Sequence, residues 1–219
     1  AMSQLWSDIN IYGMGFLDAA WTVLLITIST IVLSWVFGFM AVSAKTSSVK
    51  FFRGIGRFYI WFIRGTPALI QVFVVYFGFP QIGIHLSPFV AGVLALALNS
   101  GAYVAEIIRS GLKAIPRSQM ESASALGMSK GEIMRRIVLP QVFRIVLPPL
   151  TNEAISTLKN TSLLSTITVV DITLYAQTII SATFRPFQFY IAAALIYLLL
   201  TTLLTELSDW LERRQARFS

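Results

Sequence analysis

Apolar residues in this chain fall into long blocks. Ala19 to Ala44, Gly65 to Ile84 and Pro186 to Thr205 carry no charge, and each run approaches or exceeds the ~20 residues that cross a ~30 Å hydrocarbon core as a helix. Phe89 to Ala105 is a further uncharged run, and the only charges between Ile137 and Ala154 are Arg144 and Glu153. The pattern predicts five spans, preceded by a mildly amphipathic outside segment up to about residue 18. After span one the spacing changes: Phe51, Phe52, Ile55, Phe58, Tyr59 and Phe62 alternate with Lys50, Arg53, Arg57 and Arg64. That is either an amphipathic helix at the interface or a span that enters obliquely. Pro67, behind Arg64-Gly65-Thr66, breaks or kinks it, and Pro80 with Gly83 turns the chain after span two. Span three runs from near Pro88 to Lys113. Span four begins near Arg135, and Pro140, Pro148 and Pro149 argue against a straight helix. Asn160 to Ala182 is too polar for a lipid-facing span and too apolar for an exposed loop, which suits a re-entrant or outward-lying helix packed on protein. Span five ends near Asp209.

One stretch breaks the apolar habit. Ser118 with Glu121 and Ser129 with Glu132 both read S-x-x-E, the reciprocal box that starts a helix, and Gly127 lies between them. The reading is two short helices joined at a glycine that tolerates the left-handed conformation. Arg117, Lys130, Arg135 and Arg136 flank them. Ser122, Ala123, Ser124 and Ala125 are small enough to let the first helix seat closely on another surface. A membrane protein with such a knob on its basic side is expected to dock a soluble partner there.

Composition agrees with the blocks: 56% of residues are hydrophobic and 12% charged, the balance of an integral membrane protein. A net charge of +7 raises nucleic-acid binding, but the positions of the charges exclude it. Lys45, Lys50, Arg53 and Arg57 follow span one; Lys113, Arg117, Lys130, Arg135 and Arg136 follow span three; Arg213, Arg214 and Arg217 follow span five. The opposite ends carry almost no charge: Asp8 and Asp18 before span one, His85 between spans two and three, and Arg185 before span five. This asymmetry sets the amino terminus outside and the carboxyl terminus in the cytoplasm. The leading residues lack the basic region of a cleavable signal peptide, and the first apolar run is too long for one. With no cysteine and one histidine, disulfides and thiolate sites are excluded and no metal site is expected.

The knob resembles the EAA loop of permease subunits of ABC (ATP-binding cassette) importers, in which E-A-A is followed by Gly and then I-x-L-P. Here the pattern stands as Glu121-Ser-Ala, Gly127 and Ile137-Val-Leu139-Pro140, with Ser122 for the first alanine. Three other pieces match the polar-amino-acid (histidine, arginine and glutamine) branch of that family. They are Arg64-Gly65-Thr66-Pro67 with Gln71, Asn99-Ser-Gly-Ala-Tyr103-x-x-Glu106-x-x-Arg109, and Lys159-Asn160-Thr161-Ser162-Leu163. The resemblance covers nearly the whole chain in order. It implies one transmembrane domain over residues 1–219, all-α with the type I importer permease fold, whose coupling loop is about 116–134. It further implies a second permease subunit, identical or related, and a dimer of cytoplasmic ATPase subunits. A periplasmic or lipid-anchored binding protein delivers the amino acid, and the bacterial inner membrane is the location. No GxxxxGK[ST] loop is present, so ATP and Mg are expected on the ATPase, with no cofactor and no catalysis in this chain.

Coupling is assigned by the resemblance to Arg117, Glu121, Ser122, Ala123 and Gly127. For the substrate pathway the candidates are Glu153, Lys159, Asn99 and Gln71. An ionised group inside a span is costly and by default functional. Six residues apart on a helix, Glu153 and Lys159 differ by about 120° in azimuth and ~9 Å in rise, so they form no simple intrahelical pair. One acid and one base facing a cavity complement the ammonium and carboxylate of a free amino acid; alternatively each pairs with a neighbour, or Lys159 snorkels to the interface. Asn99 and Gln71 either line the pathway or hydrogen-bond between helices. Glu106 and Arg109, at i,i+3, are expected to pair. Two rivals are an intramembrane enzyme, which lacks a nucleophile–base or metal constellation here, and a passive channel, which has no use for a coupling loop.

Overall fold

In the computed structural model, which describes residues 2–216, the chain is helical in the blocks read above, with differences at their ends. Helix α1 (Met2–Thr46) is one element of 45 residues, so the outside segment and span one are continuous. At 1.5 Å per residue it measures about 67 Å, roughly twice the hydrocarbon thickness. Helix α2 (Lys50–Arg64) is the amphipathic segment, burying Gly56, Ile60 and Ile63. It stops at Gly65, and Pro67 opens α3 (Ala68–Phe73). A π-turn (Val74–Gly78) and a 3-10 turn (Phe79–Ile82) end this arm, with Gly83 left-handed at φ 82°. The two arms meet at 111°. Ala68 to Ile82 rises only about 22 Å, so α2 and α3 together form one broken span.

Helix α4 (Pro88–Ala114) is the most enclosed element and is capped by the Ser87 hydroxyl, which accepts from the Val90 amide. Its small residues face α1. A β-carbon on Gly101 would lie 2.7 Å from Phe37 Cβ and 2.9 Å from the Tyr59 hydroxyl, and one on Gly38 would lie 2.5 Å from Val104 Cγ1. The two backbones approach this closely because nothing projects between them, the usual basis of helix association in a bilayer. Tyr59 of α2 donates to the Leu98 carbonyl at 2.6 Å.

Helices α5 (Arg117–Ala125) and α6 (Lys130–Ile133) form the knob. The Ser129–Glu132 capping box is present, but Ser118 and Glu121 form none. Pro116 takes the capping position of α5, which places Ser118 two residues too far inside to cap. A π-turn (Met134–Val138) joins α6 to α7 (Leu139–Asn160). Three prolines were expected to disrupt span four, yet Pro140 sits in the first turn of α7 and the helix continues through Pro148 and Pro149. The π-turn falls where Pro140 deletes the amide that would bond back toward Arg136.

The segment beyond α7 is packed on protein. A 3-10 helix (Thr161–Ile167) ends at Thr168, left-handed at φ 69°, and α8 (Ile172–Thr183) turns away at 46°. Ile172, Ala176 and Ile179 of α8 pack with Phe16, Ala19 and Val23 of α1 and with Phe189 and Ala193 of α9. Helix α9 (Pro186–Ala216) runs beyond Asp209, where span five was expected to end. Arg217, counted with the basic tail, lies outside the described residues. Among the described residues three helices are long and apolar enough to cross a membrane, and the count rises to five where each bent pair is one span.

The α1–α4 seam supplies a stability test. Gly101→Val forces a side chain against Phe37 and Tyr59, and overpacking of this kind costs about 1–3 kcal/mol. The protein in detergent should melt several degrees lower, while Gly54→Ala, where an added β-carbon meets nothing within 4 Å and alanine favours the helix, should melt no lower than wild type. Equal melting of the two variants would refute the close seam.

Candidate coupling and transport sites

The knob is built from the inside outward. Helix α5 ends in a Schellman turn: the Met128 amide donates to the Ala123 carbonyl at 3.2 Å and the Gly127 amide to Ser124 at 3.0 Å. That closure requires the residue after the cap to be left-handed, and Gly127 has φ 83°. Ile133, Val138, Val142 and Val146 form a small core beneath it with Ile115 and Ala123. Ala123 is 4% exposed. Its part is therefore to seat α5 on α6 and α7, a correction to the expectation that it faces a partner. Arg117, Glu121, Ser122 and Gly127 remain exposed, and Leu126 at the tip is 84% exposed. A bare leucine on a rigid polar turn, beside Glu121 and Arg117, offers a soluble surface an apolar peg with charges around it.

The sequence candidates inside the bundle separate into two groups. Gln71 and Asn99 are both buried, and Asn99 Nδ2 donates to Gln71 Oε1 at 3.0 Å. Gln71 Nε2 in turn donates to the Ile63 carbonyl and to Thr66 Oγ1, each at 2.8 Å. Thr66 Oγ1 also donates to the Phe62 carbonyl at 2.9 Å. These bonds satisfy the carbonyls that α2 leaves open at its end, so the polar residues of the Arg64-to-Gln71 motif hold the 111° break against α4.

Glu153 belongs to a second group. Its carboxyl lies half-buried beside Ser100 of α4, on the α4–α7 seam where Thr157 Oγ1 donates to Ser100 Oγ at 3.4 Å. Lys159 is exposed and, among the described residues, has no ion pair, so it neither pairs with Glu153 nor leaves it a buried partner. No three His, Cys, Asp or Glu among the described residues converge as metal ligands.

Three arrangements escaped the reading of the residues. Glu106 was expected to pair with Arg109, and it does, through Arg109 Nε at 3.0 Å and Nη2 at 2.7 Å. It also takes Lys45 Nζ from α1, and Arg64 of α2 stands 3.9 Å away. Asp171, fully buried, caps α8 by accepting from the Leu174 amide at 2.8 Å and accepts from the Tyr197 hydroxyl of α9 at 2.9 Å. Its signal was available: an aspartate directly before an amphipathic apolar run is an N-cap signature. Asp8 and Arg185, noted only as lone outer charges, form a two-pronged pair at 3.0 and 2.7 Å.

Residues 35–217 match the family described as the binding-protein-dependent transport system inner membrane component. A probable amino-acid ABC transporter permease protein of Bacillus subtilis (strain 168), YckA, is 38% identical over 195 residues, covering 89% of this chain and 86% of that one. An arginine transport system permease protein of the same organism, ArtQ, is 37% identical over 190 residues, 86% of this chain and 87% of its own. Among solved structures, an amino acid ABC transporter crystallised with histidines superposes with a TM-score of 0.89 at 38% identity, over 94% of this chain and 97% of that chain. The MetNI methionine ABC transporter in an inward-facing conformation shares the fold alone, with a TM-score of 0.77 at 15% identity. The chain belongs to the family of binding-protein-dependent transport system inner membrane components, as a non-catalytic permease subunit with the type I ABC importer fold.

Proposed function

We propose that this permease imports a polar amino acid across a bacterial inner membrane, as one of two permease subunits served by an ATPase dimer and a binding protein. The observation that carries the reading is the exposed, Schellman-closed knob at the end of α4. Its four exposed coupling candidates and Leu126 fit a groove on an ATPase subunit, and its rigid core passes movement of that subunit to α4 and α7. The single domain spans residues 1–219, with the amino terminus outside and the carboxyl terminus inside. ATP and Mg belong to the ATPase.

The amino-acid pathway is assigned to the seam beside Glu153. Its carboxylate, beside Ser100, can accept the substrate ammonium, and the exposed Lys159, about two turns away, complements the carboxylate. Asn99 and Gln71 shape the pathway from behind, because their polar atoms are spent on each other and on the α2 carbonyls.

The coupling assignment is tested with Gly127→Asp. An added β-carbon meets no atom of this chain within 4 Å, so the folded permease loses only about 1–2 kcal/mol from the left-handed backbone. Insertion should persist, while co-purification of the ATPase, or its stimulation by loaded binding protein, is lost at least tenfold. Normal stimulation in that variant would reject the knob as the coupling element.

The pathway assignment is tested with Glu153→Gln and Lys159→Met in reconstituted vesicles. Each variant should retain its melting temperature and cut uptake by about tenfold or more, the scale of one lost charge-assisted contact. Stable variants with wild-type uptake would remove both residues from the pathway.

Topology follows from labelling single cysteines introduced into this cysteine-free chain. Position 86 should react with an impermeant reagent from outside, and position 125 only after the membrane is opened. The opposite pattern inverts the orientation.

A further inference from the structure

One open cleft of about 480 Å³ lies outside the pathway and the knob, lined by Lys45, Arg57, Ile60, Trp61, Arg64 and Tyr103. We infer that this cleft binds the phosphate headgroup of an anionic phospholipid at the membrane face that also carries the knob. The inference uses family membership only to the extent that the chain lies in a bilayer.

Charge is the first argument. Arg57, Ile60, Trp61 and Arg64 sit at i, i+3, i+4 and i+7 on α2, one continuous stripe. Lys45 comes from the end of α1 and Tyr103 from α4. No carboxylate lines the cleft among the described residues, and nearby Glu106 is occupied by Lys45 and by two nitrogens of Arg109. Arg64 reaches it only at 3.9 Å, and Arg57 has no ion pair or hydrogen bond among the described residues. Three cations, Lys45, Arg64 and Arg109, therefore share one anion, and unpaired Arg57 adds a further positive charge to the α2 wall. The Arg64 guanidinium lies over the Tyr103 ring at 5.4 Å, and a guanidinium can present two N–H groups to a phosphate.

Amphipathic surroundings are the second argument, and they select a lipid over a free anion. Beside the cationic stripe, α2 exposes Phe58, Trp61 and Phe62, with ring centroids 5.8 to 5.9 Å apart. Trp61 lines the cleft and is itself 71% exposed. An occupant that satisfies both walls carries a phosphate at one end and hydrocarbon at the other. A basic pocket between helices at the interfacial level, with aromatic rings at its lip, has that chemistry.

The test uses the purified protein in phosphatidylcholine bilayers with a trace of spin-labelled phosphatidylglycerol, the immobilised fraction being measured against spin-labelled phosphatidylcholine. Wild type should prefer the anionic probe. Arg57→Gln should weaken that preference about fivefold, the equivalent of about 1 kcal/mol for one basic residue at an anionic surface, and Arg57→Gln with Arg64→Gln should abolish it. Arg57 has no partner to strand, so the single variant folds and keeps the experiment decisive. Arg213→Gln on α9 should leave the preference intact. Full preference in both Arg57 variants, or an equal loss in Arg213→Gln, overturns the site. Displacement of the probe by millimolar inorganic phosphate would make it a soluble-anion site instead. A preference unchanged while the variants lose self-association in cross-linking would assign the cleft to a second copy of this chain.

Discussion

A backbone that leaves the helical path inside hydrocarbon must bring its own hydrogen-bond partners, since no water is there to replace them. Most features of this fold follow from that constraint. At the α2–α3 break the freed carbonyls of Phe62 and Ile63 are taken by Thr66 and Gln71, and Gln71 is held by Asn99. Between α7 and α8 the same need is met by Asp171, which caps α8 and is itself held by Tyr197. Each break is thereby tied to a long continuous helix, α4 in one case and α9 in the other. The polar side chains inside the bundle are thus the condition under which two of its spans can bend.

Bent spans need a straight frame. Helices α1 and α4 provide it, meeting at Gly38 and Gly101 with too little space for a β-carbon on either. With the seam this tight, α4 carries the knob at one end and Ser100, beside Glu153, in its middle. Helix α7 continues from the knob through the π-turn to Glu153 itself. The coupling surface and the proposed pathway are accordingly opposite stretches of the same two helices, which is a short mechanical route from one to the other.

Much of this was legible because apolar length and glycine or proline punctuation act locally. The limits of α2 and α4, the Pro67 break, the left-handed Gly127 and the Ser129–Glu132 box depend on neighbours within a turn or two. What could not be read depends on distant residues. Nothing near Lys45 in the chain indicates that Glu106 is its partner, and Asp8 and Arg185 lie at opposite ends. Buried Ala123 looked like a partner contact because small residues permit close packing on any surface, including the chain's own core. Ser118 and Glu121 had the spacing of a cap, but Pro116 had already fixed the start of the helix. The prolines of span four misled for a related reason: a π-turn takes up the bond that Pro140 removes, and α7 continues through Pro148 and Pro149.

Glu106 is a single carboxylate on which cations from α1, α2 and α4 converge. Redundancy at this junction is lopsided. Lys45, Arg64 and Arg109 each contribute positive charge that another can partly replace, so drift among lysine and arginine there is tolerable one position at a time. The anion has no understudy. A single neutralising change there would cut the ties of α4 to the ends of α1 and α2 together.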